Sequence, residues 1–230
     1  MRIYQNFKEA TNEIKRDLAE MGITVKPKSY QNKNVEGDPN FFTRELQNYI
    51  YTVTNPKPRD LNPSQPWADA EMRERVSGKN INPGEAYKLR PDVWSEFLNA
   101  DGEFDYSYPE RLNMFGFNCY SQIDHAVRIL KADPSSRQCY ISIWDRDIVD
   151  AGGNTRIPCS LGYQLQIRND ALNITYLQRS SDFATHFQND LYLAHMLQHS
   201  IANELHIPVG MYTHWIGSLH IFQKDVAGVF

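Results

Sequence analysis

The chain has 230 residues, 41% hydrophobic and 12% aromatic, which is enough apolar surface for a single domain over residues 1–230 and too much for a disordered polymer. A formal net charge of −4 argues against a broad basic face that coats nucleic acid, while a local arginine cluster for a small anion stays open. Three scattered cysteines, Cys119, Cys139 and Cys159, with no CxxC or Cys/His cluster, predict no metal site and a reducing, cytoplasmic setting with free thiols.

The opening, MRIYQNFKEATNEIKRDLAEM, is charged and helical in period, unlike a secretory signal. It predicts an amphipathic helix over 6–21 with Phe7, Ala10, Ile14, Leu18 and Met21 on one face. A polar loop runs from Lys26-Pro27 to Asp38-Pro39, and FFTRELQNYIYTV (41–53) mixes helix-compatible spacing with aromatics. Residues 55–92 are rich in Pro, Asn and Arg and read as irregular, long enough to suggest a functional lid or an insertion. A helix is expected over 121–131 and a strand over 138–144. Around Asn169-Asp170 the alternation of LGYQLQIRNDALNITYLQR signals a hairpin. Residues 190–205 carry the strongest helical stripe, Leu191, Ala194, Leu197, Ile201 and Leu205. GMYTHWIGSLHIF then reads as a strand interrupted at Gly217. No run approaches the roughly eighteen apolar residues of a membrane span. Strands and helices mix without regular alternation of the two, so the class expected is α+β.

Several polar residues admit two readings. Cys159, in RIPCSLGYQ, is either a small buried hydrophobe or a nucleophile whose thiolate Arg156 and Arg179 would stabilise. Arg179 and Ser180 offer a guanidinium fork and a hydroxyl suited to a phosphate monoester, or a surface ion pair at a strand end. Arg137 would add a phosphate contact or simply sit solvated in a turn. Asp190 stands where a helix cap is expected, and equally could face the edge of a base. Glu45 reads as a solvated helix residue or as a general acid/base that orders water. His220 is a satisfied core histidine or a partner for a sugar hydroxyl.

Their joint order resembles the thymidylate synthase superfamily. The motifs are Pro158-Cys159, QRSxD at Gln178–Asp182, FQND ahead of the long helix, GSLHIF, REL at Arg44–Leu46, VWSEFLNADGEFDYSYPERL with Trp94 and Tyr108, and DPSSRQCYISIW. Together they cover roughly residues 41–222. The resemblance implies an α+β fold built on a large mixed sheet with flanking helices, two such sheets packing back to back in a homodimer. It also implies a folate-dependent enzyme acting on a pyrimidine nucleoside monophosphate with 5,10-methylenetetrahydrofolate. Cys159 would then be the nucleophile at C6 of the base, with Glu45 on the family's glutamate-bearing helix and Tyr108 beside it as catalytic residues. Gln178, Arg179 and Ser180 would hold the nucleotide, Arg137 would come from the other protomer, and His220 would meet the sugar. Asp182 and Trp94 would meet the folate.

The departures from the family pattern point further. Where thymidylate synthases carry an Asn eleven residues after the motif Arg, this chain has Asp190, with Asn189 adjacent. An Asp there is similar to phage deoxycytidylate hydroxymethylases and implies dCMP in place of dUMP. Eight residues follow Phe222, short of the family's folate-closing tail, so water is expected to capture the one-carbon unit as hydroxymethyl. Arg137-Gln138 stands where paired arginines are usual, and Phe222 where a Tyr is usual, so CMP remains an alternative to dCMP.

Overall fold

The computed structural model describes residues 1–30, 33–113, 120–145 and 156–230, and Cys119 lies outside the described residues. After β1 (Arg2–Tyr4), the Asn6 side chain accepts from the Glu9 amide and caps α1 (Phe7–Met21). Phe7, Ala10, Ile14 and Leu18 are buried along the predicted stripe, while Met21 is exposed. β2 (Ile23–Val25) and the small ribbon β3 (Ser29–Tyr30) with β4 (Lys33–Asn34) follow.

The segment expected to be helical is a strand, β5 (Thr43–Val53), and Glu45 therefore sits in a sheet. Thr, Tyr, Ile and Val populate this stretch, and such residues pack well on a pleated surface flanked by strands on both sides. Residues 55–92 are more ordered than their composition suggests. They hold α2 (Trp67–Arg75), which buries Trp67, Ala68, Met72 and Arg75, and the short α3 (Pro91–Trp94). Next come α4 (Tyr108–Asn113), α5 (Gln122–Ala132) capped by Ser121, and β6 (Tyr140–Ser142). The hairpin is β7 (Ser160–Arg168) and β8 (Ala171–Asp182), turning at Asn169 and Asp170, both with positive φ as a two-residue turn of this kind requires. α6 (Phe187–Leu205) starts a turn earlier than expected, behind His186, so Asp190 lies in its first turn and is not its cap. β9 (Val209–Phe222) runs unbroken through Gly217, and α7 (Gln223–Val229) follows.

Seven strands form one mixed sheet in the order β1-β5-β9-β8-β7-β6, with β2 also on β5. β8 and β9 are parallel and joined through α6, whereas β5–β9 and β7–β8 are antiparallel. α1 packs against β5 and α6 against β8 and β9, with α5 and α2 against α6. Between them Tyr163, Tyr176, His214 and Phe187 form a column of near-parallel rings, the central pair 4.5 Å apart at 15°.

One row of the sheet breaks the alternation of inward and outward side chains. Asn48, at φ 50°, faces Gly217, which in turn lies beside Arg179, and no ladder pair forms along that row. Across it the buried residues fall three apart instead of two: Leu46 and Tyr49, Ile216 and Leu219, Gln178 and Ser181. A side chain on Gly217 has no room, since its Cβ would come within 2.8 Å of the Arg179 carbonyl oxygen. This phase change turns both Gln178 and Ser181 inward, towards α6.

Candidate active site

Cys159 stands just before β7, where the chain drops into the sheet. Its carbonyl accepts from the Arg179 amide at 2.8 Å, so β8 holds the turn that presents the thiol. The Arg179 guanidinium folds back over that turn, with Nε 2.9 Å from the Pro158 carbonyl and Nη2 2.8 Å from that of Ile157. Nη2 also stands 3.9 Å from Sγ of Cys159. Burial pushes the thiol up from its ordinary value, Arg179 and Arg156 pull it down, and Asp190 and Asp182 push it up again.

Tyr108, at the start of α4, donates or accepts at 3.0 Å with the Ser160 hydroxyl, and Ser160 bonds onward to Tyr176 at 2.5 Å. The Arg75 guanidinium lies 3.8 Å above the Tyr108 ring, and its Nε donates to Glu71 at 2.8 Å. Glu71, Arg75, Trp67, Trp94, Tyr106, Tyr108 and Arg156 line one cleft. Its floor is aromatic: Trp67 and Trp94 stack at 5.7 Å and 20°, and Nε1 of Trp94 is buried without a partner among the described residues. Arg156 lies 3.7 Å over Phe97 and acts electrostatically on the thiol, although Cys159 itself does not line the cleft.

Asp190 approaches from α6. Its Oδ2 accepts from Gln178 Nε2 at 2.6 Å and from Ser181 Oγ at 3.2 Å. Burial pushes this carboxyl above the usual carboxylate range, while His186, Gln178, Arg75 and Ser181 hold it back. Asn189 points elsewhere: its Oδ1 accepts from the Ser64 amide at 2.7 Å and fastens the loop ahead of α2. The two neighbours therefore divide the work, one structural and one facing the sheet row that carries Cys159 and Arg179.

Of the residues singled out by sequence, the fold gathers Cys159, Gln178, Arg179, Asp190, Tyr108 and Trp94 around one region. Asp182 and His220 pair in register at the β8–β9 edge of it, and Asp182 reaches Cys159 electrostatically. Ser180 follows Arg179 and pairs with Ser218. Glu45 does not line the cleft; its carboxylate takes the Ser218 hydroxyl at 2.7 Å and the Gln47 amide at 3.0 Å. Arg137 is exposed at the lead-in to β6, away from the cleft of its own chain. Glu71 and Arg75 were missed. The only signal for them was the pairing of Glu and Arg four apart on a stretch that reads as irregular.

The sequence pattern of the family described as "Thymidylate synthase" matches residues 80–229, and the chain belongs to that family. It is 28% identical over 196 residues to the "Putative thymidylate synthase" of Methanothermobacter marburgensis, covering 84% of each chain. To the "Thymidylate synthase" of Francisella philomiragia it is 26% identical over 148 residues, 60% of this chain and 54% of that one. The chain spans about half the length of several curated relatives it matches. The fold matches that of thermostable thymidylate synthase A from Bacillus subtilis, with a TM-score of 0.74 at 22% identity over 97% of this chain and 82% of that one. The α+β class with a large mixed sheet and flanking helices is thus the observed one.

Proposed function

We propose that the protein is a folate-dependent pyrimidine nucleotide 5-hydroxymethylase that converts dCMP to 5-hydroxymethyl-dCMP. The observation that carries this reading is the separation of Asn189 from Asp190. The amide fastens a loop, and the carboxylate is the side chain turned towards Gln178 and Ser181 on the row beside Cys159. A carboxyl can accept from the exocyclic amine of cytosine and, when protonated, donate to its ring nitrogen, whereas uracil offers the opposite pattern.

The sulfur of Cys159 bonds to C6 of the base, which moves electron density to C5, and leaves again when the ring is restored. Arg179 and Ser180 hold the phosphate, and the same movement of Arg179 off the 157 and 158 carbonyls brings its charge to the thiolate. 5,10-Methylenetetrahydrofolate supplies the electrophilic methylene that ends on C5 and departs as tetrahydrofolate. The stacked Trp67 and Trp94, with an unsatisfied indole N–H, suit a flat heteroaromatic co-substrate, and Asp182 lies at the same end of the site. Water contributes the oxygen, so dCMP, the methylene and one water give the product without oxidation of the folate. To Glu71, held by Arg75 in the cleft, we assign the activation of that water, a role sequence gave to Glu45; its support is that Glu71 lines the cleft. His220 faces the sugar. A second copy of the chain on the sheet face that exposes Ile50 and Met211 would bring its Arg137 to the phosphate.

The relatives, thymidylate synthases by name, favour a second reading, methylation of dUMP with oxidation of the folate. Purified protein incubated with methylenetetrahydrofolate and equal dCMP, CMP and dUMP separates the two by product mass. A gain of CH2O on dCMP supports the proposal; a gain of CH2 on dUMP with dihydrofolate overturns it.

A further inference from the structure

A buried chain of hydrogen bonds ends on Asp190 and begins two strands away from β8, on the same face of the sheet. Tyr51 Oη, on β5, lies 3.1 Å from Nδ1 of His214, on β9. Nε2 of the same ring lies 3.0 Å from Oε1 of Gln178, on β8. The Gln178 amide then reaches Oδ2 of Asp190 at 2.6 Å. Tyr51 and His214 are wholly buried and Gln178 nearly so, and the imidazole stacks on Tyr176 with Phe187 near-parallel 6.4 Å away on α6.

The chemistry of the ends fixes the direction of this chain. An ionised carboxylate only accepts, so the Gln178 NH2 must point at Asp190 and its carbonyl at His214. The carbonyl requires a donor, which puts the imidazole proton on Nε2 and leaves Nδ1 to accept from the Tyr51 hydroxyl. Burial drives His214 down to about 3 and holds Tyr51 well above its ordinary value, so one ring stays neutral and the other stays a phenol. Every member then has its partner in one orientation only. Ser181 adds a second donor to Oδ2, while no described residue donates to Oδ1, which is not enclosed.

We propose that Tyr51 and His214 are positioning residues that, through Gln178, keep Oδ2 of Asp190 a permanent acceptor and leave Oδ1 as the one carboxyl oxygen that takes a proton and meets the pyrimidine edge. The specificity half of this rests on the reading of Asp190 given above. The other groups facing Asp190 are His186 at the start of α6, Arg75 from α2, Cys159 before β7, and Tyr163, Tyr176 and Tyr212 from the sheet. None of them belongs to the chain from Tyr51 to Gln178, and Tyr51→Phe, which removes only a hydroxyl at its far end, leaves them in place, whereas His214→Phe also changes the ring packed against Tyr176 and Tyr212.

Removing the far donors frees the Gln178 amide to turn its carbonyl towards Asp190, which takes a donor away from the ionised form. In the unliganded protein, a carboxyl-carbon NMR titration of Asp190 should therefore move up by about one unit or more in Tyr51→Phe and further in His214→Phe, a tenfold or greater rise in proton affinity. Both variants keep an aromatic ring; if His214→Phe does not fold, Tyr51→Phe alone decides. The ratio of dUMP to dCMP dissociation constants should fall about tenfold in the same variants, in line with the loss of one well-made base contact. An unchanged Asp190 titration overturns the proposal, and so does an equal loss of affinity for both nucleotides, which is what a purely structural role would give. A wild-type protein that binds neither nucleotide overturns the proposed substrate instead, while the titration still decides the relay.

Discussion

Asp190 and Glu71 carry most of the functional reading, and each makes a separable claim. Asp190→Asn keeps the size of the side chain and supplies one donor and one acceptor in place of a titrating carboxyl. The amide matches the uracil edge, so preference should move from dCMP towards dUMP by about tenfold to a hundredfold, the roughly 1–3 kcal/mol of one good base contact. Competition between the two nucleotides for the wild-type and variant proteins measures it, and an unchanged ratio would remove Asp190 as the base reader. For the carboxylate proposed to serve water, the sequence reading and the proposal differ, Glu45 in the first and Glu71 in the second. Glu71→Gln should lower turnover on the order of a hundredfold or more, as loss of a general acid/base does. Glu45→Gln, which alters bonds to Ser218 and Gln47 and the charge felt by His220, should leave turnover far closer to wild type than Glu71→Gln does. Single-turnover rates for both variants decide, and a reversed order would restore the sequence-based assignment.

At the level of elements, the irregular row through Asn48, Gly217 and Arg179 is what brings the site together. Without the change of phase, Ser181 would face away from α6, and Asp190 would lose one of its two donors. Gly217→Ala forces a methyl against the Arg179 carbonyl, which must move, and such overpacking costs about 1–3 kcal/mol. Because Arg179 also spans the Cys159 turn, the variant should both melt lower and react differently with a thiol reagent at Cys159. Loss of stability with unaltered thiol reactivity would separate the row from the site. Sequence showed α1, α5, α6 and the β7–β8 hairpin clearly, since each has a clean apolar period or an unambiguous turn. It misread β5 because REL has a local spacing that suits a helix, and only pairing with β1, β2 and β9 makes the stretch a strand. It missed α2 because its buried face includes Arg75, a charge that no periodicity analysis places inside. Cys159, Arg179 and Asp190 entered the candidate site through their ordered motifs, and the fold brings them near one another. The link from Asp190 back to Tyr51 was not, because it joins three strands that only the sheet makes neighbours.

Across the whole molecule, the same burial that orders the site makes the fold sensitive to acid. His195, in the middle of α6, packs edge-on against Phe7 and bonds to Gln198 at 3.1 Å, while its Nε2 is buried without a partner among the described residues. Burial depresses it to about 4, and His214 to about 3. Both folded values lie below that of an exposed histidine, so the native state prefers the neutral ring. Above about pH 6.5 neither state binds the proton and the stability is fully present. As the pH falls from there towards 4, the unfolded chain takes up protons that the folded chain refuses, and stability drains away. For His195 alone the loss is about 3 kcal/mol, and His214 adds to it. Asp190, Glu74 and Asp225, all raised by burial, work in the opposite sense over the lower part of this window, against five histidines lowered by it, since His186, His199 and His220 shift in the same direction as His195 and His214. At about 2–4 °C per kcal/mol for a chain of this size, the melting temperature should drop on the order of 10 °C between pH 7 and pH 4. Calorimetric scans across that range measure it. A profile that is flat or rises as the pH falls would mean that the histidines are not held neutral, and the fixed polarity of the relay through His214 would lose its physical basis.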